Sequence, residues 1–239
     1  KDANKCLMDG VPVEDIKQAI EEAVTLDPKA VRTTPSYDPK VVELFYPDPD
    51  NNPGMSLPFS KVSGHVRFRP GELTLWAGES GSGKSMLLGQ CICHWVSRQA
   101  RVLLLSLEMA PPQTLKRMVK QSTGGEQPAK DIISYTLEWL GQGLLFFDHV
   151  GKLKVEEMLE VFDYCRSKYG TTEFVVDSLM RLGIKSDDYV GQEELVFSLV
   201  DWAIERQVHI HLVAHTRKAE SKFSGPQSHH DVKGASEIV

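Results

Sequence analysis

The chain has 239 residues, 41% of them hydrophobic and 25% charged, with a formal net charge of −6. That length suits one large domain with an appendage and is enough to bury a sizeable core. No run approaches 18 apolar residues, so no membrane-spanning helix is expected. The opening KDANKCLMDG lacks the apolar core of a signal peptide. Starting at Lys1 rather than methionine, the chain reads as a fragment or a processed product. The four cysteines, Cys6, Cys91, Cys93 and Cys165, fit no metal or redox spacing and read as reduced thiols.

Charge is unevenly spread. Residues 1–60 hold 11 acids against 6 Lys and Arg, whereas residues 61–239 hold 22 acids against 21. The larger part is near neutral, and a local basic loop there can still meet phosphates.

Within residues 1–60, PVEDIKQAIEEAV places Val13, Ile16, Ile20 and Val24 near helical spacing, with acids between them. Pro12, Glu14 and Asp15 suit a helix start. This apolar stripe must be buried, either on its own domain or on a neighbouring subunit. Seven of the thirteen prolines follow within 26–60, so that stretch is expected to be linker, not sheet or long helix.

From residue 65 onward, strands and helices are expected to alternate. The strand candidates are LTLWA (73–77), VLLLSL (102–107), LLFFD (144–148), EFVVDSL (173–179) and VHIHLVAH (208–215). All are continuous apolar runs, as in strands covered on both faces. Helical patterns fill residues 84–98, PPQTLKRMVKQ, KVEEMLEVFDYCRSKYG and EELVFSLVDWAIERQ. Prolines open the second of these, and Gly170 closes the third. The alternation implies an α/β fold with a largely parallel central sheet flanked by helices.

Between the first strand and the first of these helices lies GESGSGKS, residues 78–85. It matches G-x-x-x-x-G-K-[ST] in the strand–loop–helix setting that this phosphate-binding loop requires. Glycines let consecutive N–H groups of Gly78, Glu79, Ser80, Gly81, Ser82 and Gly83 curl around one anion. The helix beginning near Lys84 adds its positive end. Lys84 is expected to reach the β- and γ-phosphates, and the Ser85 hydroxyl to ligate Mg²⁺.

Other strand ends supply the remaining chemistry. FVVDS ends in Asp177, whose carboxylate can hold the magnesium directly or through water; the competing role is a helix cap. LLLSLEM ends in Glu108, expected at the neighbouring strand's C-terminal edge, where it can orient an attacking water; otherwise it is an exposed loop acid. His209 and His211 alternate with Ile210 and Leu212, so both point to one face, with no third metal ligand placed by spacing. His215, at the strand's end, is a candidate γ-phosphate sensor or a structural histidine. The segment after it carries Arg217, Lys218, Lys222 and Lys233 among glycines and serines. Such a loop is either solvated or a contact for a polyanion backbone.

The ordered set PGELTLWAGESGSGKS, LLLSLEM, FVVDSL, HLVAHTRK and DVKGASEI resembles the DnaB-type ring helicases, within the RecA-like fold, over roughly residues 58–239. KDANKCLMDG resembles the tail of a Toprim primase domain. That order is similar to phage primase–helicases and Twinkle. The resemblance implies a Toprim-like tail (1–10), a linker helix and proline-rich linker (11–60) and a RecA-like P-loop NTPase domain (61–239) lacking its C-terminal part. It further implies an ATP- or NTP-driven hexameric ring moving 5′→3′ on single-stranded DNA, alongside replisome proteins. Glu108 would be the catalytic acid, Asp177 the magnesium partner and His215 the phosphate sensor. Arg217, Lys218, Lys222, Lys233 and Gly234 would face DNA, and the helix at 13–24 would pack on the next subunit. The family's arginine finger would lie past Val239, and the primase's zinc element and catalytic acids are absent from the sequence. Location would be cytoplasmic, including that of a phage-infected host, or organellar for a Twinkle orthologue. Three alternatives compete: a RecA-type recombinase, a nucleotide-gated oligomerisation module without turnover, and a small-molecule kinase.

Overall fold

A computed structural model describes residues 3–22, 31–46, 54–149, 153–179, 182 and 188–216. It divides into two compact units, Lys1–Asn51 and Asn52–Val239. In the first, α1 (Ala3–Met8) precedes α2 (Val13–Glu21), which takes up residues 13–21 of the helix expected at 13–24. A single 3₁₀ turn, Thr34–Tyr37, leads into α3 (Asp38–Phe45), whose Pro39 lies in the first turn, where no N–H partner is lost.

In the second unit, β1 (Met55–Ser56) pairs antiparallel with β2 (Arg67–Phe68). The expectation of no sheet within 26–60 is therefore wrong at 55–56. The two residues lie between Pro53 and Pro58, so neither proline takes part in the ladder.

The main sheet contains β3 (Leu73–Gly78), β4 (Val102–Ser106), β5 (Leu144–Phe146), β6 (Glu173–Asp177) and β7 (His209–His215). Its order is β3-β7-β6-β4-β5, with every pairing parallel. All five expected strands are present. The connecting helices are α4 (Lys84–Ser97), α5 (Pro111–Thr123), α6 (Lys130–Gly141), α7 (Val155–Tyr169) and α8 (Tyr189–Arg206). Gly170 ends α7 in the left-handed conformation at φ 68°, as its sequence position implies. The chain moves outward along the sheet from β3 to β4 to β5, then returns through β6 to β7. Right-handed crossovers therefore put α4, α5 and α6 on one face and α7 and α8 on the other.

Period-two alternation builds a core on each face. Val102, Leu104, Val175 and Val213 join Ile92, Trp95, Met118 and Leu140. Leu103, Leu105, Phe174, Val176, Ile210 and Leu212 join Phe162, Leu199 and Trp202 on the other side. The same alternation directs Thr74, Trp76, Gly78, Glu173, Asp177, His209, His211 and His215 toward the α4 face. The polar residues of the strands thus share one side of the sheet, under the helix that follows the glycine loop. Cys91, Cys93 and Cys165 are buried free thiols, and burial pushes that of Cys91 up to about 12. No helix among the described residues is long and apolar enough to cross a membrane.

Candidate nucleotide site at the sheet's C-terminal edge

The glycine loop joins the end of β3 to the start of α4. Gly83 is the helix's N-cap at φ 93°, a conformation that a side chain strongly disfavours. At Gly78, a Cβ would lie 2.9 Å from Ser82 Oγ and in contact with the Lys84 stem, so a side chain there would oblige the Ser82 hydroxyl to turn away. Lys84 Nζ donates to the carbonyls of Gly78 at 2.7 Å and Glu79 at 2.8 Å. Gly78 O also accepts from Thr216 N at 3.0 Å, which ties the loop to the end of β7.

From Lys84 a run of contacts leads through His215 to Glu108 and Ser178. His215 Nδ1 lies 3.4 Å from Lys84 Nζ, and His215 Nε2 lies 2.7 Å from Glu108 Oε1. A ring carrying its proton on Nε2 accepts from the ammonium and donates to the carboxylate. Ser178 Oγ donates to the same Glu108 oxygen at 2.5 Å. Glu108 stands two residues beyond the end of β4, on a bend held by Ser106 Oγ donating to Met109 O at 2.8 Å. Its strand is not the neighbour of β3: β7 and β6 lie between them. Glu108 nevertheless reaches His215 across the sheet's edge.

Electrostatics separate the two acids. Burial alone would raise Glu108, but hydrogen bonds from Ser178 and His215, with the charge of Lys84, outweigh it and hold the carboxyl below its usual range. Asp177 goes the other way. Burial pushes it up, assisted by the Glu108 charge, against the lowering effect of a hydrogen bond from Ser85. Burial also lowers Lys84, opposed by Glu108 and then Asp177.

Asp177 Oδ1 is buried without a hydrogen-bond partner among the described residues. Beside it is a small void of about 20 Å³ that Ser85, Ser106 and Arg117 help to line, enough for one water molecule. An orphaned buried carboxylate oxygen next to a hydroxyl fits a hard, oxygen-seeking cation such as Mg²⁺, whose charge would offset the burial. The sequence-predicted residues Gly78–Ser85, Glu108, Asp177 and His215 therefore converge at one edge. Arg217, Lys218, Lys222, Lys233 and Gly234 lie outside the described residues.

Ser178 escaped the sequence reading. Its signal is slight, a hydroxyl immediately after the strand-end acid. His209 and His211 do share one face, with ring centroids 4.5 Å apart, but their nitrogens are engaged internally. His209 Nδ1 donates to Arg69 O at 2.7 Å, and its Nε2 accepts from Thr74 Oγ1 at 2.9 Å. His211 Nδ1 accepts from Trp76 Nε1 at 3.2 Å, and its Nε2 donates to Glu173 Oε2 at 3.1 Å. No cluster of metal-ligating side chains occurs among the described residues.

A parallel α/β sheet with a glycine loop leading into a helix, and carboxylates at its C-terminal edge, defines a P-loop nucleotide-binding protein of RecA-like architecture. Over residues 62–221 the chain matches the AAA domain family and belongs to it. Two solved structures share the fold. An ATPase domain superposes with a TM-score of 0.67 at 16% identity, covering 84% of this chain and 79% of that one. A DnaB-like replicative helicase, described with its interactions with primase, gives 0.68 at 17% identity and covers 98% of this chain. The chain accounts for 60% of that helicase's length. The DnaB-type resemblance read from the motifs is thus matched by the fold.

Proposed function

We propose that the chain is the motor domain of an NTP-driven DNA helicase that moves 5′→3′ along single-stranded DNA during replication, assembled as a homohexameric ring. The observation that carries this reading is the run of contacts from the phosphate loop through Lys84 and His215 to Glu108. A binding module needs the loop alone. A motor also needs a group that activates water and a group that registers the phosphate's departure, and this run offers a candidate for each.

On this reading the loop amides and Lys84 bind the β- and γ-phosphates of ATP or another NTP. Ser85 and Asp177 would hold Mg²⁺, which would supply positive charge beside the phosphates. Phosphoryl transfer has a loose transition state that asks mainly for positioning and electrostatic stabilisation. Glu108 suits that demand. Held ionised by Ser178 and His215, it accepts a hydrogen bond from the attacking water and orients it toward the γ-phosphorus. His215 joins ammonium and carboxylate, so any displacement of Lys84 by the phosphates alters what Glu108 accepts. Arg217, Lys218, Lys222, Lys233 and Gly234 would carry the strand contacts. Residues 1–10 would end a Toprim-like domain, 11–60 would link it, and 61–239 would form the motor of a primase–helicase. The helix at 13–24 would pack on the next subunit.

The test is NTP hydrolysis by the full-length protein with and without single-stranded DNA. Stimulation by the strand is expected, as is a flatter salt dependence of DNA binding when Arg217, Lys218 and Lys222 are neutralised. Hydrolysis indifferent to DNA, or phosphate transfer to a small acceptor, would contradict the helicase assignment.

A further inference from the structure

Away from the phosphate loop, at the other end of α4, two clefts adjoin. One, of about 500 Å³, is lined by Ser56, Ser60, Ser63, Arg67, His94 and Arg98 among small and apolar residues. The other, of about 470 Å³, is lined by Tyr135 and Trp139 and shares His94 and Pro58 with the first. Both sizes lie within the usual range of small-ligand pockets. The ten residues from Lys84 to His94 span about 15 Å of helix, so this is a place distinct from the phosphate loop.

The first cleft is cationic. Neither guanidinium has an ion-pair partner among the described residues, and no carboxylate lines the cavity. The blander role for Arg98 and His94 is to complement the negative end of α4. That end carries roughly half an elementary charge, against two full charges from the arginines, and Arg67 belongs to β2 rather than to the helix. His94 is held below its usual range, by burial first and then by the Arg98 charge. The second cleft is aromatic. Tyr135 is 71% exposed although its ring is apolar, and Trp139 lies one turn further along α6, on the same face.

Guanidiniums and hydroxyls recognise a phosphate, and exposed rings stack on a planar base. We propose that the paired clefts form a second nucleotide-unit site, with the phosphate held by Arg67 and Arg98 and the base laid on Tyr135 and Trp139. The unit comes either from a free mononucleotide or from a polynucleotide strand, since both present the same phosphate and ring.

The test follows the ring resonances of His94 and Trp139 in the full chain, titrated with thymidine monophosphate and, separately, with a short oligothymidylate. Movement of both rings with the monophosphate identifies a free nucleotide. Movement with the oligomer alone identifies a strand, and either result supports the site. Arg67→Gln with Arg98→Gln should weaken the response about tenfold or more, while Tyr135→Ala should weaken it several-fold. Unchanged binding of a triphosphate analogue at the phosphate loop checks that the variants remain folded. Rings that stay still with both probes, or an undiminished response in the double-arginine variant, would overturn the proposal.

Discussion

Strands β6 and β7 each carry polar residues at both ends, and the two ends have opposite fates. At the N-terminal end, Glu173 and His211 face each other under Trp95, which stacks on the imidazole at 4.4 Å. Trp76, Thr74 and the Arg69 carbonyl take up the remaining ring nitrogens of His211 and His209. Nothing is left over for a ligand. At the C-terminal end, Asp177 and His215 sit on the same face of the same strands, yet one carboxylate oxygen has no partner among the described residues. His215 is tied there to two charged groups rather than to the core. The residue types match, so composition cannot distinguish the ends. The difference lies in what covers them: α4 lies over the first, and only its N-terminus with the glycine loop reaches the second. A satisfied polar pair serves the fold, whereas an unsatisfied one at a sheet's open edge is available for chemistry.

Substitutions at the open end should have the largest effects. Glu108→Gln keeps the shape and removes the charge. Turnover should fall roughly 10²–10⁴-fold with triphosphate affinity little changed, measured by hydrolysis and calorimetry. Lys84→Ala should cost roughly 10²–10³-fold in turnover and weaken binding of a triphosphate analogue; unaltered calorimetry would remove the lysine from the site. Ser178→Ala deletes one of the two hydrogen bonds that Glu108 Oε1 accepts. About a tenfold loss of turnover is expected, with the acidic limb of the pH–rate profile moving toward neutrality because Glu108 is less well stabilised as an anion.

The closed end should show itself in stability rather than turnover. Burial lowers His209 and pushes His211 well below its usual range, while burial raises Glu173 well above its own. Below about pH 6.5 the unfolded chain takes up protons on both histidines that the folded chain refuses, so they destabilise the fold as pH falls. Above about pH 4.5 the unfolded chain loses the Glu173 proton that the folded chain retains, which opposes the trend. Between these values two histidines that resist protonation stand against one carboxyl that resists ionisation, so the three groups together should make stability rise with pH. Glu173→Gln removes the opposing group and should steepen the slope in denaturant titrations. An unchanged slope would mean that Glu173 is ionised in the fold.

The sequence made the open end legible and the closed end almost invisible. Five continuous apolar runs announce five strands, because both faces of each are covered. The spacing of Gly78, Gly83, Lys84 and Ser85 announces the loop, because only that pattern frees the backbone to surround an anion. Strand order was beyond reach. Glu108 was expected on a strand adjoining β3, and β7 and β6 separate them. The pairing of Glu173 with His211 spans 38 residues and depends on the parallel β6–β7 register, which no local pattern encodes. Helix α6 went unread, since KDIISYTLEWLG mixes β-branched and aromatic residues whose local preference is not helical. Prolines hid β1, two residues long, because a proline has no amide donor to give a ladder.

The most direct measurement is a titration of the chain with a non-hydrolysable triphosphate analogue and magnesium, followed through the histidine ring resonances. Binding at the phosphate loop predicts that His215 moves first and furthest, while His209 and His211 hold their positions. A still His215, or displacement centred on the buried pair, would contradict a nucleotide site at the C-terminal edge.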